Sequence, residues 1–565
     1  MTRSPEDAVA GPVTRMLALA GVAVAVGALA AFAAIALVEA VAWLNRVLLV
    51  SPHARVQWER RPDVVVAATL LGPAVGGLLV GMAHRWLSPA GRPLGPPDVI
   101  RAVQLREAPA DLRSGLVSTA TAALSLGVGA SVGQYGPMVY LGALIGGPAR
   151  RLRLGVPNLA AIAVGCGVAA AISTAFNAPI AGLVFAHEVV LRHYATQAFA
   201  PVTVASATGY VIANLVFDRP ALFLVEFAGV ARGHEFLLFA LLGLVVALGA
   251  VGFMRLLLAT GPALARAIPV AALRPAAAGL ALGFAALGLP DVLGVGAETL
   301  RFTTIEGAFG AGELALLIAA KAGLTALCIG AGFSGGVFSP ALLIGGLAGA
   351  LFWTLASAAP GAAGSGVAVY AICGMMAFAS AVIGAPLTCI LIVFELTRNY
   401  DVTVAAMVAV VFSNLVSHHL FGRSLFDRQL AARGVDLSRG REHARMAATP
   451  VRTLLDGAAV TARPEETRRT VTARLAARGL RQAFVLGEDG ALLGVFSPGE
   501  GAPEAPVAGS LEPPALVLDD ATSVAEALER LRGFVGDAVP VTARTDGRFL
   551  GAVAEADVVA AWLDA

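Results

Sequence analysis

Apolar residues in this chain come in blocks. Residues 16–38 and 236–253 are almost uninterrupted Ala, Leu, Val and Gly, and 402–416 is a shorter block of the same kind. About 20 apolar residues in a helix cross the hydrocarbon of a bilayer, and a run of roughly 15 sits near the short limit. The first block is not predicted to be a cleaved leader, because many more apolar segments follow it. As far as residue 421, polar residues are confined mostly to short connections. Beyond that point short apolar runs at 482–486, 493–496, 538–541 and 550–553 alternate with helical patterns at 467–478 and 524–531. The pattern predicts an all-α polytopic membrane domain over 1–440 and a small α/β tail over 441–565. A polar stretch at 434–443, with Arg439, Arg441 and Glu442, suits the link between them.

Composition makes lipid the predicted solvent. Of 565 residues, 57% are hydrophobic and only 14% charged, and the mean hydropathy is +0.78, far beyond what an ordinary soluble domain of this size needs. Roughly half of all charged residues follow residue 421. Arg423, Arg428 and Arg433 flank the last apolar segment, which favours a cytoplasmic C-terminal tail. A net charge of +2 argues against a dedicated nucleic-acid binder. Cys166, Cys328, Cys373 and Cys389 all lie in apolar stretches without CxxC spacing, so they read as small packing residues and imply neither a metal nor a disulfide.

The membrane part repeats itself. S-V-G-Q-Y-G-P at 131–137 returns as S-G-G-V-F-S-P at 334–340, a shared S-x-G-x-(Tyr/Phe)-x-P. The match continues through Gly142 and Gly345, Cys166-Gly167 and Cys373-Gly374, and Ala178-Pro179 and Ala385-Pro386. It ends at Glu188 and Glu395, each nine residues beyond its proline. Order and spacing held over so long a stretch predict two copies of one bundle, at about 60–220 and 235–430.

Glycines and a proline deep in an apolar region need a reason. Proline fits the first turn of a helix, where its missing N–H costs nothing, and the glycines before it allow close backbone approach. Together they describe a helix that starts inside the membrane, with bare N–H groups and a positive dipole end. Irregular backbone at that depth survives only where it is buried or lines a polar cavity, and two such starts make a site for an anion. Close packing through small residues accounts for Gly142 and Gly345 but leaves the paired motif unexplained.

These motifs resemble the chloride channel (CLC) family. G-Q-Y-G-P at 133–137 sits where that family carries G-(Arg/Lys)-E-G-P, and G-V-F-S-P at 336–340 is similar to its G-x-F-x-P. F-N-A-P-I-A-G at 176–182, A-P-L-T at 385–388, F-E-L-T at 394–397 and Lys321-x-x-x-Thr325 also look like family signatures, and the likeness covers about 15–435. Lys321 is the only lysine in a chain that otherwise uses Arg, which suggests a need for a compact ammonium. The resemblance implies an inverted-topology repeat, a homodimer in the lipid bilayer with one anion pathway per subunit, and a small anion such as chloride as partner. It implies the bacterial inner membrane as location. It assigns anion-binding amides to Val337 and Phe338, after Gly336, with Gln134, Tyr135 and Gly136 around an outer site.

Departures from the family pattern change the expected mechanism. The gating glutamate falls on Tyr135, and the inner proton glutamate of the exchangers falls on Val189, next to Glu188. The serine of G-S-G-I-P falls on Leu94, ahead of Gly95, and the inner tyrosine falls on Phe426. Tyrosine, with a reference pKa near ~10, stays neutral, and valine relays no proton. Loss of two hydroxyls leaves a drier site that relies on backbone dipoles. Tyr135 reads equally as a plug or as a hydroxyl donor. Glu188 and Glu395 read as structural hydrogen-bond partners, and His187 as a packed or interfacial histidine that could titrate.

The tail, in the order strand, helix, strand, turn, strand, resembles two cystathionine-β-synthase-type (CBS) domains. Family ligand sites there often use Thr or Ser three residues before Asp; the copies here have Ala554 with Asp557 and Ser497 with Glu500. A dimerisation module without cofactor is expected, with an adenine nucleotide at the pair as the alternative. The expected function is passive, proton-independent anion permeation. Proton-coupled anion exchange is the first alternative, and a non-conducting membrane sensor with the tail as output is the second. No catalytic constellation is visible, so an enzyme is not expected.

Overall fold

A backbone threaded through hydrocarbon must satisfy its own N–H and C=O groups, and runs of Ala, Leu and Val do so as helices. The computed structural model describes residues 12–563 apart from 52–54, 57, 59–60, 108–110, 153, 218–228, 360, 362, 456–458 and 535. It divides into two units between Leu430 and Ala431, so the polar stretch expected as a linker belongs to the tail unit.

In the first unit α1 (Pro12–Val47), α2 (Pro62–Trp86) and α3 (Pro96–Gln104) lead into α4 (Leu112–Gly127), α5 (Tyr135–Gly146), α6 (Leu159–Phe176), α7 (Pro179–Phe185) and α8 (Thr196–Val211). The chain after α7 continues as a π-helical turn, Ala186–Leu191. The second half holds α9 (Glu235–Ala267), α10 (Arg274–Gly288), α11 (Ala297–Phe302), α12 (Ala311–Ala331), α13 (Phe338–Ser357), α14 (Val367–Ile383), α15 (Pro386–Thr397), α16 (Tyr400–Phe421) and α17 (Leu425–Ala431). Among the described residues nine helices are long and apolar enough to cross a membrane. The apolar blocks at 16–38, 236–253 and 402–416 lie inside α1, α9 and α16.

Helices α4–α8 are answered in the same order by α12–α16. Within each half the glycine-led helix packs on the next one by backbone contact. A Cβ on Gly142 would lie 2.4 Å from the Gly167 oxygen, and one on Gly345 would lie 2.6 Å from the Gly374 oxygen. Small residues at both faces are what let these helices touch.

Between the halves the polar contacts are exchanged. The Glu188 carboxylate, from the first half, accepts from the amides of Leu387 (3.0 Å) and Thr388 (2.8 Å) and from the Thr388 hydroxyl (2.7 Å) at the start of α15. The Glu395 carboxylate, from the second half, accepts from the amides of Ile180 (2.9 Å) and Ala181 (2.8 Å) at the start of α7. Each helix beginning with Ala-Pro is thus capped by the other repeat's glutamate, where a negative charge is favoured. The structural role expected for both glutamates is what the geometry displays.

The tail carries two sheets of identical design. In the first, β1 (Thr461–Ala462) pairs parallel with β2 (Ala483–Leu486), which pairs antiparallel with β3 (Leu492–Phe496). In the second, β4 (Leu518–Asp519), β5 (Val539–Thr542) and β6 (Phe549–Val553) repeat that order and register, including the irregularity in the second strand. The connecting helices, α19 (Arg468–Arg478) and α20 (Val524–Arg530), follow α18 (Arg441–Ala448) and start at Thr467 and Ser523, whose hydroxyls accept from an amide three residues on.

Removing either exchanged carboxylate strands first-turn amides, of which those of Ala181 and Thr388 are in fully buried residues. A buried donor without a partner costs about 1–3 kcal/mol. Glu188→Ala and Glu395→Ala are therefore expected to lower the thermal midpoint in detergent, and the Gln variants to lower it less. Unchanged midpoints in both Ala variants would contradict the swapped-cap reading.

Candidate functional site

The two glycine-rich loops that precede α5 and α13 meet in the middle of the unit. Gly133 N donates to Gly336 O and Gly336 N to Gly133 O, both at 2.7 Å. The pair is antiparallel, so equivalent segments of the two repeats run in opposite directions, as an inverted repeat requires. A Cβ on Gly336 would come within 2.8 Å of the Gly136 nitrogen, and one on Gly136 within 2.8 Å of the Gly336 Cα. No side chain fits there.

Serines at the head of each loop reach across. Ser131 Oγ lies 3.0 Å from Thr325 Oγ1, and Ser334 Oγ lies 2.8 Å from Thr121 Oγ1. The second loop has extra support: His84 Nε2 is 2.7 Å from Ser334 Oγ, and Ser334 N donates to Ser125 Oγ at 3.1 Å. Nothing in the sequence singled out His84, Thr121 or Ser125. The recurrence of Ser131 and Ser334 was the available signal, but their partners lie on other helices.

Three helix starts converge here. Tyr135 and Phe338 are the first residues of α5 and α13, each with a proline two residues later, and first-turn amides have no intrahelical acceptor. The third is α3: Pro96 Cδ stands 3.6 Å from the position of a Gly136 Cβ. Gly95 caps that helix, its amide donating to Asp98 Oδ2 (3.0 Å), and Arg92 grips the same carboxylate at 2.5 Å. Leu94 is buried beside this start, and its amide donates to Ser118 Oγ at 3.1 Å.

An aromatic cluster covers the convergence. Tyr135, 6% exposed, stacks on Phe176 with centroids 4.0 Å apart and planes at 19°. Phe338 meets both rings edge-on, at 5.6 Å from Tyr135 and 5.5 Å from Phe176, the arrangements that ring quadrupoles favour. Phe176 stood in a sequence signature, but its place on Tyr135 was not foreseen. The second repeat has Ile383 at the corresponding position, an asymmetry that could have flagged it.

The structure brings together Gly95, Tyr135, Gly136, Gly336 and Phe338 from among the expected site residues, with Leu94 and Val337 one position away along the chain. Gln134, expected around the outer site, precedes Tyr135 and its amide donates to Ser339 Oγ at 3.3 Å. Val189 and Phe426 are both buried. Val189 lines a cavity of about 360 Å³ together with His187, Glu188, Arg192, Tyr194 and Asp427. Arg192 pairs with Asp427 there at 2.8 Å. Phe426, on α17, belongs to neither the aromatic cluster nor that cavity wall among the described residues.

The model of the family described as voltage gated chloride channel matches residues 75–418, and that of the CBS domain matches residues 508–564. A putative chloride channel protein ClcB-like of Ralstonia nicotianae is 33% identical over 433 residues, which are 74% of this chain and 96% of that protein. The H(+)/Cl(-) exchange transporter ClcA of Salmonella agona is 28% identical over 443 residues, 74% of this chain and 88% of that one. A solved structure of a slow cyanobacterial Cl-/H+ antiporter has the same fold, with a TM-score of 0.64 at 23% identity over 74% of this chain and 97% of that chain.

Because backbone occupies the space around Gly336, Gly336→Ala is expected to push the two loops apart. Overpacking of this kind costs about 1–3 kcal/mol and falls on the convergence itself. Anion flux in proteoliposomes should fall at least about tenfold, the rate equivalent of 1.4 kcal/mol. Full flux from a folded Gly336→Ala protein would show that the close approach is not needed.

Proposed function

The chain belongs to the voltage gated chloride channel family, and from that premise we propose that it passes small anions, chloride among them, down their gradient without moving protons. The observation that carries this reading is Tyr135, stacked on Phe176 at the helix start where the family resemblance puts a carboxylate. A neutral phenol obstructs and donates a hydrogen bond, but it does not shuttle a proton near neutral pH. Val189, the counterpart of the inner proton carrier, has nothing to titrate.

Permeation follows from the convergence. An anion there faces the positive ends of α3, α5 and α13, which act as fixed partial charges in a low-dielectric surrounding. Backbone amides replace part of its water shell, as at other helix N-termini that hold anions. Carbon groups at Leu94 and Phe426 return none of the lost water contacts, so easily dehydrated anions such as thiocyanate and nitrate pass at least as well as chloride. The protein works as a homodimer in the membrane with its tail on the cytoplasmic side. The tail is a dimerising module without nucleotide. Ala554 offers no hydroxyl, and the Asp557 carboxylate accepts from the Ala554 amide at 3.1 Å, which occupies it as a helix cap.

Flux from proteoliposomes, with proton movement recorded alongside, tests the reading. A chloride gradient is expected to drive no uphill proton movement, and a reproducible proton current that reverses with the gradient would overturn the proposal in favour of exchange. Tyr135→Ala and Phe176→Ala should both raise flux, since each removes half of the stacked cover. Tyr135→Phe keeps the cover and loses the donor, so anion affinity should fall by up to roughly tenfold, the equivalent of a net hydrogen bond of about 0.5–1.5 kcal/mol.

A further inference from the structure

Lys321 is the only lysine in the chain and one of its most deeply buried side chains, 1% exposed. It sits on α12 one turn ahead of Thr325, whose hydroxyl meets Ser131. Its ammonium donates to the carbonyls of Val292 (2.9 Å) and Gly294 (2.8 Å). Among the described residues no carboxylate forms an ion pair with it. Gly294 in turn donates to Gly129 O at 2.8 Å, at the head of the loop that runs through Ser131 to the Gly133–Gly336 pair. The charge is therefore tied twice to the loop that leads to the first helix start, through Gly294 and through α12.

Two carbonyls do not need a full charge; a neutral amide or hydroxyl would satisfy them. Asp291, beside Val292 in the chain, makes no ion pair with Lys321, and a buried ion left without a direct partner is strongly unfavourable; within a membrane such a group marks a functional pathway more often than a structural one. The converging helix starts supply only partial charges, so an integral positive charge behind them adds to the same field. We propose that Lys321 is a positive charge of the anion pathway, only partly offset by Asp291, and that the permeating anion completes its neutralisation. This rests on the anion site lying at the Gly133–Gly336 convergence, and it adds a group that sets how tightly that site holds its ion.

Chloride binding to the purified full chain, measured by calorimetry, tests it with three variants. Lys321→Met removes charge and hydrogen bonds, whereas Lys321→Gln keeps donors for the carbonyls and loses only the charge. Both are expected to bind chloride at least about fivefold more weakly, with Lys321→Gln nearer to wild type in thermal midpoint. Asp291 lies beside Val292 and accepts from Thr299 Oγ1 at 2.8 Å. Asp291→Asn retains that acceptor, removes a compensating negative charge, and should bind chloride about twofold more tightly. A folded Lys321→Gln with wild-type affinity would reduce Lys321 to a structural clamp and overturn the proposal. If neither Lys321 variant folds, Asp291→Asn decides, and unchanged or weaker binding refutes the charge role. A wild-type protein that neither binds chloride nor passes anions would instead remove the pathway itself.

Discussion

Two hydrogen bonds of 2.7 Å between Gly133 and Gly336 set the terms for the rest of the membrane unit. At that depth the backbone has no water to turn to, so loops that leave the helical ladder must find each other. The pairing admits no Cβ at Gly136 or Gly336, and it fixes α5 and α13 start to start. Two helix N-termini held this way present like partial charges of about half an elementary charge each. Such an arrangement is electrostatically unfavourable until something negative stands near it. The fold's central tie thus creates the need for an anion before any side chain is considered.

The remaining inter-repeat contacts limit how the molecule can move. Glu188 caps α15 and Glu395 caps α7, while Ser131 meets Thr325 and Ser334 meets Thr121. A rigid rocking of one repeat against the other would break charge-assisted bonds in both directions together with the glycine pair. Bonds to charged groups contribute about 1.5–3 kcal/mol each, so that motion is costly. Changes at the convergence are left to side chains, and the Tyr135 and Phe176 rings are the stacked pair that stands there.

Much of this was legible in the sequence. The recurrence of S-x-G-x-(Tyr/Phe)-x-P gave the two helix starts, the matched spacing from proline to glutamate marked two structural hydrogen-bond partners without saying which helices they cap, and alternating short elements gave the tail's strand order. These features depend on local backbone chemistry, which leaves a mark at fixed spacing. Phe176 on Tyr135, His84 on Ser334 and Ser339 on Gln134 depend on which helix faces which, and no local pattern records that. Leu94 and Phe426 were assigned by likeness to a family pattern. Leu94 lies beside a helix start, and Phe426 is a buried residue of α17; which neighbours each would have was not written in the local pattern.

The asymmetry between the repeats gives the pathway its character. Both helix starts carry an aromatic, Tyr135 in one and Phe338 in the other, but among the described residues only Tyr135 has a ring stacked face to face on it. An aromatic pair adds about 0.5–1.5 kcal/mol beyond the burial of its surface, which is only one to three times thermal energy. Burial of both rings holds the cover as well, but no charge has to be neutralised for it to move. A carboxylate in the same place would have to be displaced by the anion or neutralised by a proton, and either route ties conduction to a second chemical event. On the proposed reading of proton-independent permeation, a stacked phenol in place of that charge cuts the tie. On that reading, occupancy of the site would be governed by helix dipoles, by the proposed contribution of the Lys321 ammonium and by how readily the ion gives up its water.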